Sequence, residues 1–279
     1  MPTARNQAWE REASAGVHLP YLAQVDEHTI LTRDGLAFQI FRLEGLPFET
    51  IESAQLDARK AARDALFQSL SSARFALVHH VVRRAVHAAL DGQFGDPFSH
   101  ERGAVWKARL AQRKLFANDL YLTLLIRPPQ GRAGWAERVL GLFGGAGDRG
   151  ASRPQADLRA LNQAREAVLA ALEPYAPKLL SSYEMATGLA SEPLEFLSML
   201  FNGHPAPCLL PQGDLGHAIA RRRIGFGADT VELGPVDGRA PTFAAILSVK
   251  DYPAETGAGL LDDLYRLPFE MTVTQSFAF

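Results

Sequence analysis

The side chains that could do chemistry are few and scattered. His79 and His80 are adjacent, with His87 and His100 further along the chain. Converging imidazoles could bind a metal or move a proton. This pair, however, sits inside the apolar run Phe75–Val82, which reads as a strand. Successive strand side chains point to opposite faces, so the two rings cannot share one metal. No HxxH or HExxH spacing supports a site, and the expectation is packed or hydrogen-bonded histidines. A single cysteine, Cys208, excludes intramolecular disulfides and a cysteine-based zinc cage. Ser71-Ser72 and Ser181-Ser182 lack a nucleophile-elbow context. Asp91, Asp96 and Glu101 form no recognisable ligand set, and Asp262-Asp263 reads as a helix-surface pair.

Nucleotide chemistry is equally hard to place. A P-loop needs a glycine directly before its lysine, so that amides and ammonium hold the phosphates together. The lysines are Lys60, Lys107, Lys114, Lys178 and Lys250, and none follows a glycine. Gly144-Gly145-Ala146-Gly147 and Gly225-Phe226-Gly227 read as turns. No catalytic, cofactor-binding or metal-binding residue is assigned. The sharpest charge cluster is Arg221-Arg222-Arg223, echoed by Arg83-Arg84. It could meet phosphates, but no aromatic stacking platform is interleaved with it. It reads first as a solvated strand edge and second as a protein interface.

The whole chain sets the same limits. With 279 residues it can bury roughly three quarters of its unfolded surface. A hydrophobic fraction of 47% and a net charge of −2 describe an ordinary globular protein without a global pull toward nucleic acid or acidic lipid. No run reaches the roughly 18 apolar residues of a membrane span. Arg5, Glu10, Arg11 and Glu12 leave no apolar core for a secretory signal. The expectation is a soluble, cytoplasmic protein that meets a membrane only through a partner.

The elements that must position these groups follow from periodicity. Residues 1–24 read as an irregular or partly helical arm stopped by Pro20. His28–Thr32 and Leu36–Leu43 flank Asp34-Gly35 and predict a hairpin. A helix capped by Thr50 runs to about Leu70, and another covers Ser99–Phe116. In Asn118–Arg127, Leu120, Leu122, Leu124 and Ile126 alternate with Tyr121, Thr123 and Leu125, which predicts a strand. Residues 131–154 form a Gly-rich excursion around Trp135, Leu140, Leu142 and Phe143.

Beyond it come a helix through Leu158–Leu172 and a strand over Lys178–Thr187. Ser191 then caps a helix that ends at Asn202-Gly203. Short strands near Arg222–Phe226 and Thr230–Leu233 precede a strong one over Phe243–Lys250, a helix over Ala254–Tyr265 and a strand over Glu270–Phe279. The abrupt stop in an apolar strand suggests the first part of a longer protein. The fold class is α+β: mixed, mostly antiparallel sheets with packed helices. Two subdomains, 25–130 and 155–279, are joined by the excursion. Exposed apolar residues on such a loop often mark contacts. Trp135, Leu140, Leu142 and Phe143, with Arg221, Arg222 and Arg223, are therefore the candidate partner-binding residues.

An ordered series of segments narrows the function. It comprises His28–Thr32 with Asp34-Gly35, Gly45–Thr50, His79–Arg84, Asn118–Thr123, Ser191–Leu197 with Asn202-Gly203, Phe226–Asp229, Ser248–Pro253 and Thr274–Phe279. Taken together the series resembles the N-terminal region of the VirB4/TrbE/CagE family of type IV secretion and conjugation ATPases. The resemblance implies a non-catalytic docking and assembly region, without a RecA-like ATPase fold of its own. That fold, with ATP and Mg, is expected after residue 279. It further implies a hexameric parent at the cytoplasmic face of the inner membrane that energises pilus biogenesis and substrate translocation. Implied partners are its own ATPase domain, other copies, a VirB3-like subunit and further inner-membrane components. Direct nucleic-acid contact, through Arg221–Arg223 and Arg83-Arg84, is the alternative and is not expected.

Overall fold

The computed structural model describes residues 14–46, 51–71, 74–87, 92, 94–128, 149–235, 240–249, 254–255 and 261–278, without the side chains of 149–154. Its largest sheet has seven strands. They are β1 (Tyr21–Gln24), β2 (Ile30–Thr32), β3 (Ala37–Leu43), β4 (Phe75–Val86), β5 (Leu115–Ile126), β6 (Lys178–Leu179) and β12 (Met271–Ala278). The order is β1-β2-β3-β5-β4-β12, with β6 paired to β3 beside β2. Every pairing among the described strands is antiparallel, in agreement with the α+β expectation.

Local chemistry explains the turn between β2 and β3. Gly35 takes φ +87°, a left-handed conformation that costs glycine nothing, and its N–H reaches the Thr32 carbonyl. The turn sets the register Ile30↔Phe38. That register places Phe38 and Ile40 on one face of the sheet and Ala37 and Phe41 on the other.

Both faces are covered. Helices α1 (Ser53–Ser69) and α3 (Arg149–Ala171) pack on the face of Ala37 and Phe41, where Leu66, Leu161 and Val168 meet Phe41, Leu77, Leu122, Leu124 and Ile126. Helices α4 (Glu192–Asn202) and α5 (Leu215–Ile219) pack on the face of Phe38 and Ile40, where Leu194, Phe196, Leu215 and Ile219 meet Ile30, Phe38, Ile40 and Tyr121. The Tyr121 and Phe196 rings lie 4.4 Å apart. Gln39 is fully buried at the core of β3, donating to Thr29 Oγ1 and Asn162 Oδ1 at 2.9 Å each. Two smaller sheets complete the fold. One is the hairpin β7 (Ser182–Met185) with β8 (Gly188–Ser191). The other joins β9 (Ile224–Phe226), β10 (Val231–Leu233) and β11 (Thr242–Ala244).

Several expectations are corrected. Residues 21–24 are strand β1, because they find β2 to pair with, and are not part of an irregular arm. Helix α2 spans Pro97–Ala111 and stops short of Phe116. Strand β5 begins at Leu115, since β4 runs on to Val86 and pairs it there. The segment 178–187 breaks into β6 and β7, which pair with different strands. Of Phe243–Lys250 only the first two residues are strand. Residues 245–249 have no pairing partner among the described residues, and Lys250 lies outside them. No α-helix forms over the described part of 254–265. Leu264–Arg266 is a single 3-10 turn, followed by Pro268. Thr50 and residues 131–148, with Trp135, Leu140, Leu142 and Phe143, lie outside the described residues. Helix α1 begins with Glu52 at its cap position, without a side-chain cap.

Candidate functional site

The histidine pair is structural. His80 is buried under α4, its ring 5.3 Å from that of Phe196, with Nδ1 2.9 Å from Thr274 Oγ1 on β12. His79 lies opposite Gln275 of the same strand. Burial, reinforced by the neighbouring His79, pushes the His80 pKa down to about 4. Burial also lowers His79, partly offset by its hydrogen bond to Gln275. Both rings are therefore neutral at pH 7. Among the described residues no three His, Cys, Asp or Glu side chains converge to hold a metal. Burial raises the Cys208 thiol above its ordinary value, as expected for a packed residue.

The depressed His80 pKa has a measurable consequence. Below pH 6.5 the unfolded chain takes up a proton that the folded protein refuses until about pH 4. The stabilisation is complete above pH 6.5 and is lost progressively as pH falls toward 4. From the size of the shift the loss is ~3 kcal/mol. Urea unfolding at pH 7.0 and 4.5 is expected to show it, and His80→Gln to flatten much of the pH dependence. Equal pH dependence in both proteins would mean that His80 is not the group responsible.

The arginine cluster divides. Arg222 is 5% exposed, and its guanidinium donates to the carbonyls of Asn202 (3.0 Å) and Ala240 (3.2 Å) and to Thr242 Oγ1 (3.4 Å). It ties the end of α4 to β11 and is used inside the chain. Arg221 is half-buried and Arg223 exposed. The organising residue beneath them is Asn202, fully buried. Its Nδ2 donates to Ser198 O, Ser198 Oγ and Ile219 O at 2.7–2.8 Å, and its Oδ1 accepts the N–H groups of Arg221 and Arg222. Gly203, at φ +77°, ends the helix there and donates to Met199 O. Arg84 and Arg42 both pair with Asp119, and Arg83 reaches Leu267 O and Asn118 Oδ1.

The helix that carries this corner is set by its own ends. Ser191 Oγ accepts from Leu194 N, Pro193 occupies the first turn, and Glu192 and Glu195 favour the positive end of the dipole. Those carboxylates do more than cap. Glu192 bonds Lys178 Nζ at 2.5 Å and Ser181 N at 3.0 Å, and Glu195 takes the Tyr183 hydroxyl at 2.6 Å. The Tyr183–Glu195 bond, more than burial, pushes the phenol up to about 12.

An open groove of about 320 Å³ runs between α1 and the end of α3, lined by Gln55, Arg59, Ala62 and Tyr175 among others, and holds no cluster of reactive groups. Two apolar surfaces stand out. Ile246, Leu247 and Val249 are 85%, 94% and 66% exposed on the segment after β11. Helix α2 exposes Phe98, Val105 and Trp106 at 66%, 40% and 57%, and buries no residue. The sequence predicts this helix over Ser99–Phe116 but not its exposed face. The signal available was its lack of a wide apolar stripe, which leaves it no face to lay on the sheet.

Two family models match this scaffold on either side of residues 134–177. Residues 28–133 match "Type IV secretion system ATPase VirB4/TrbE, N-terminal domain", and residues 178–279 match "CagE, TrbE, VirB family, component of type IV transporter system". The chain belongs to the VirB4/TrbE/CagE family. Similar curated proteins agree. The type IV secretion system protein virB4 of Bartonella henselae is 27% identical over 270 residues, covering 97% of this chain and 34% of that protein. The virB4 protein of Brucella suis is 28% identical over 284 residues, covering 98% and 33%. Protein virB4 of Agrobacterium tumefaciens is 28% identical over 270 residues, covering 96% and 33%. This VirB4-family chain thus spans about a third of the length of the relatives it matches. The first model covers β2 to β5 and the second β6 to β12, so residues from both contribute to the seven-stranded sheet. Among the described residues of this VirB4-family region, no helix is long and apolar enough to cross a membrane.

Proposed function

We propose that this region of a VirB4-type ATPase is a docking and assembly scaffold and does not itself turn over nucleotide. The observation that carries the reading is the match of residues 28–133 to the N-terminal domain of that ATPase family. The surfaces support it. The titratable groups inside the fold are neutral or paired, while long apolar side chains on α2 and on residues 246–249 are left in water. On this reading ATP and Mg bind elsewhere in the whole protein, which works as a hexamer peripheral to the inner membrane. The region then recruits a VirB3-like subunit and other membrane components.

Co-expression with a tagged VirB3-like subunit is the direct test. The chain is expected to co-purify with that subunit and to hydrolyse ATP no faster than a buffer control. Failure to co-purify with any inner-membrane component of the apparatus, or nucleotide turnover well above background, overturns the reading.

A further inference from the structure

Helix α2 is placed unlike the other long helices. The helices α1, α3 and α4 each bury side chains in a core, whereas no α2 residue is buried. It stands at the end of the β4–β5 pair, beyond the twelve residues of ladder that join those strands. Its own chemistry is sufficient to form it. Asp96 Oδ1 accepts from Ser99 N at 2.8 Å and Pro97 opens the first turn. The Phe94 ring lies against Gly103, so closely that a Cβ there would meet it at 2.7 Å.

At roughly 100° per residue, Phe98, Arg102, Val105, Trp106 and Arg109 fall on one face. The Arg102 guanidinium carbon sits 5.4 Å from the Phe98 ring centroid, as that placement requires. The spacing i, i+4, i+7, i+8, i+11 is that of anchors on a helix seated in a groove. Phenylalanine, tryptophan and arginine are also the residue types that dominate the centres of protein interfaces. The local charge is one-sided. Between Gly95 and Phe116 stand Arg102, Lys107, Arg109, Arg113 and Lys114 against Asp96 and Glu101, and Asp96 is occupied as the cap.

We propose that α2 is a docking helix that enters an apolar groove rimmed by carboxylates on a second protein. This rests on the docking reading above and assigns the surface and the chemistry of its partner. Charge complementarity selects an acidic rim. A bilayer fits the face less well. Helices lying in a membrane surface keep their cations on the water side, whereas Arg102 and Arg109 lie amid the apolar residues. Single-stranded nucleic acid also fits less well. The Phe98 and Trp106 positions are about 12 Å apart along the helix at 1.5 Å per residue, and they do not form the adjoining stacking surface that successive bases need.

The test uses the whole protein within its assembled apparatus, with a photoreactive benzoylphenylalanine in place of Phe98. Irradiation is expected to give a protein adduct whose cross-linked peptide combines apolar residues with aspartate or glutamate. Arg102→Glu with Arg109→Glu is expected to cut its yield at least tenfold. Reversing the carboxylates of that peptide to lysine is expected to restore it. Because α2 buries nothing, the melting temperature is expected to stay unchanged in each variant. An adduct with lipid or nucleic acid, one insensitive to charge reversal, or none at all overturns the proposal. If the adduct fails while the inner-membrane component still co-purifies, the docking reading stands on another surface and only the assignment of α2 falls.

Discussion

Replacing Asn202 with aspartate is expected to remove about 3 to 5 kcal/mol of folding stability, as judged for breaking a fully buried polar network. The amide is 0% exposed and donates to the backbone carbonyls of both Ser198 and Ile219 while accepting from two successive backbone N–H groups. A carboxylate keeps the acceptor side and loses the donor side. It then points negative charge at two carbonyl oxygens in a low dielectric, where the mismatch is not screened. The alternative is to protonate, which moves the cost into a pKa shift. Asn202→Ala is expected to cost less, about 2 to 3 kcal/mol, because it leaves groups unpaired without adding a charge. Urea denaturation of both variants measures the difference. A loss below about 1 kcal/mol for the aspartate variant would show that the corner between α4 and β9 has another support.

Phe41→Ala is expected to cost a similar 3 to 5 kcal/mol by a different route. Phe41 is fully buried on β3, opposite Leu122 of β5 on one side and Leu179 of β6 on the other. Its ring belongs to the core that α1 and α3 close over. Truncation loses the transfer energy of the ring and leaves a cavity walled by three elements on a sheet that cannot collapse inward. The adjacent Arg42 supplies the control. Its side chain is half-exposed, and its pair with Asp119 at 3.4 Å lies at the surface. Arg42→Ala is therefore expected to stay within about 1 kcal/mol of the parent. If the two variants unfold at the same denaturant concentration, the core has been assigned to the wrong residues.

Much of the fold was legible from local pattern. The alternation of Leu120, Leu122, Leu124 and Ile126 identified β5, and the intervening Tyr121 and Thr123 proved buried as well, Tyr121 against Phe196 of α4. Ser191, Pro193 and Gly203 marked both ends of α4 because caps are local hydrogen-bonding chemistry. The hairpin at Gly35 was visible because only a left-handed residue fits its turn. The site was far less legible. Arg221, Arg222 and Arg223 read as one charged run, yet Arg222 turns inward to the carbonyls of Asn202 and Ala240. Adjacent residues of irregular backbone need not share an environment, and nothing in the run itself says which one is buried.

The sequence alone determined most of the element types, the mixed α+β class and the resemblance of this chain to a secretion ATPase family. Element types and class rest on spacing along the chain, and family membership on an ordered series of segments that the family models match. Tertiary structure decided which elements found partners. Strand β12 pairs with β4 and β6 with β3 across wide gaps in sequence. Residues 245–249 have strand character and, among the described residues, no strand to join, and α2 has helical character and no buried residue of its own. Hydrophobic period reports the geometry of one segment. Whether its apolar face meets the interior or water depends on where the other segments lie, and here that left Phe98, Val105 and Trp106 facing outward.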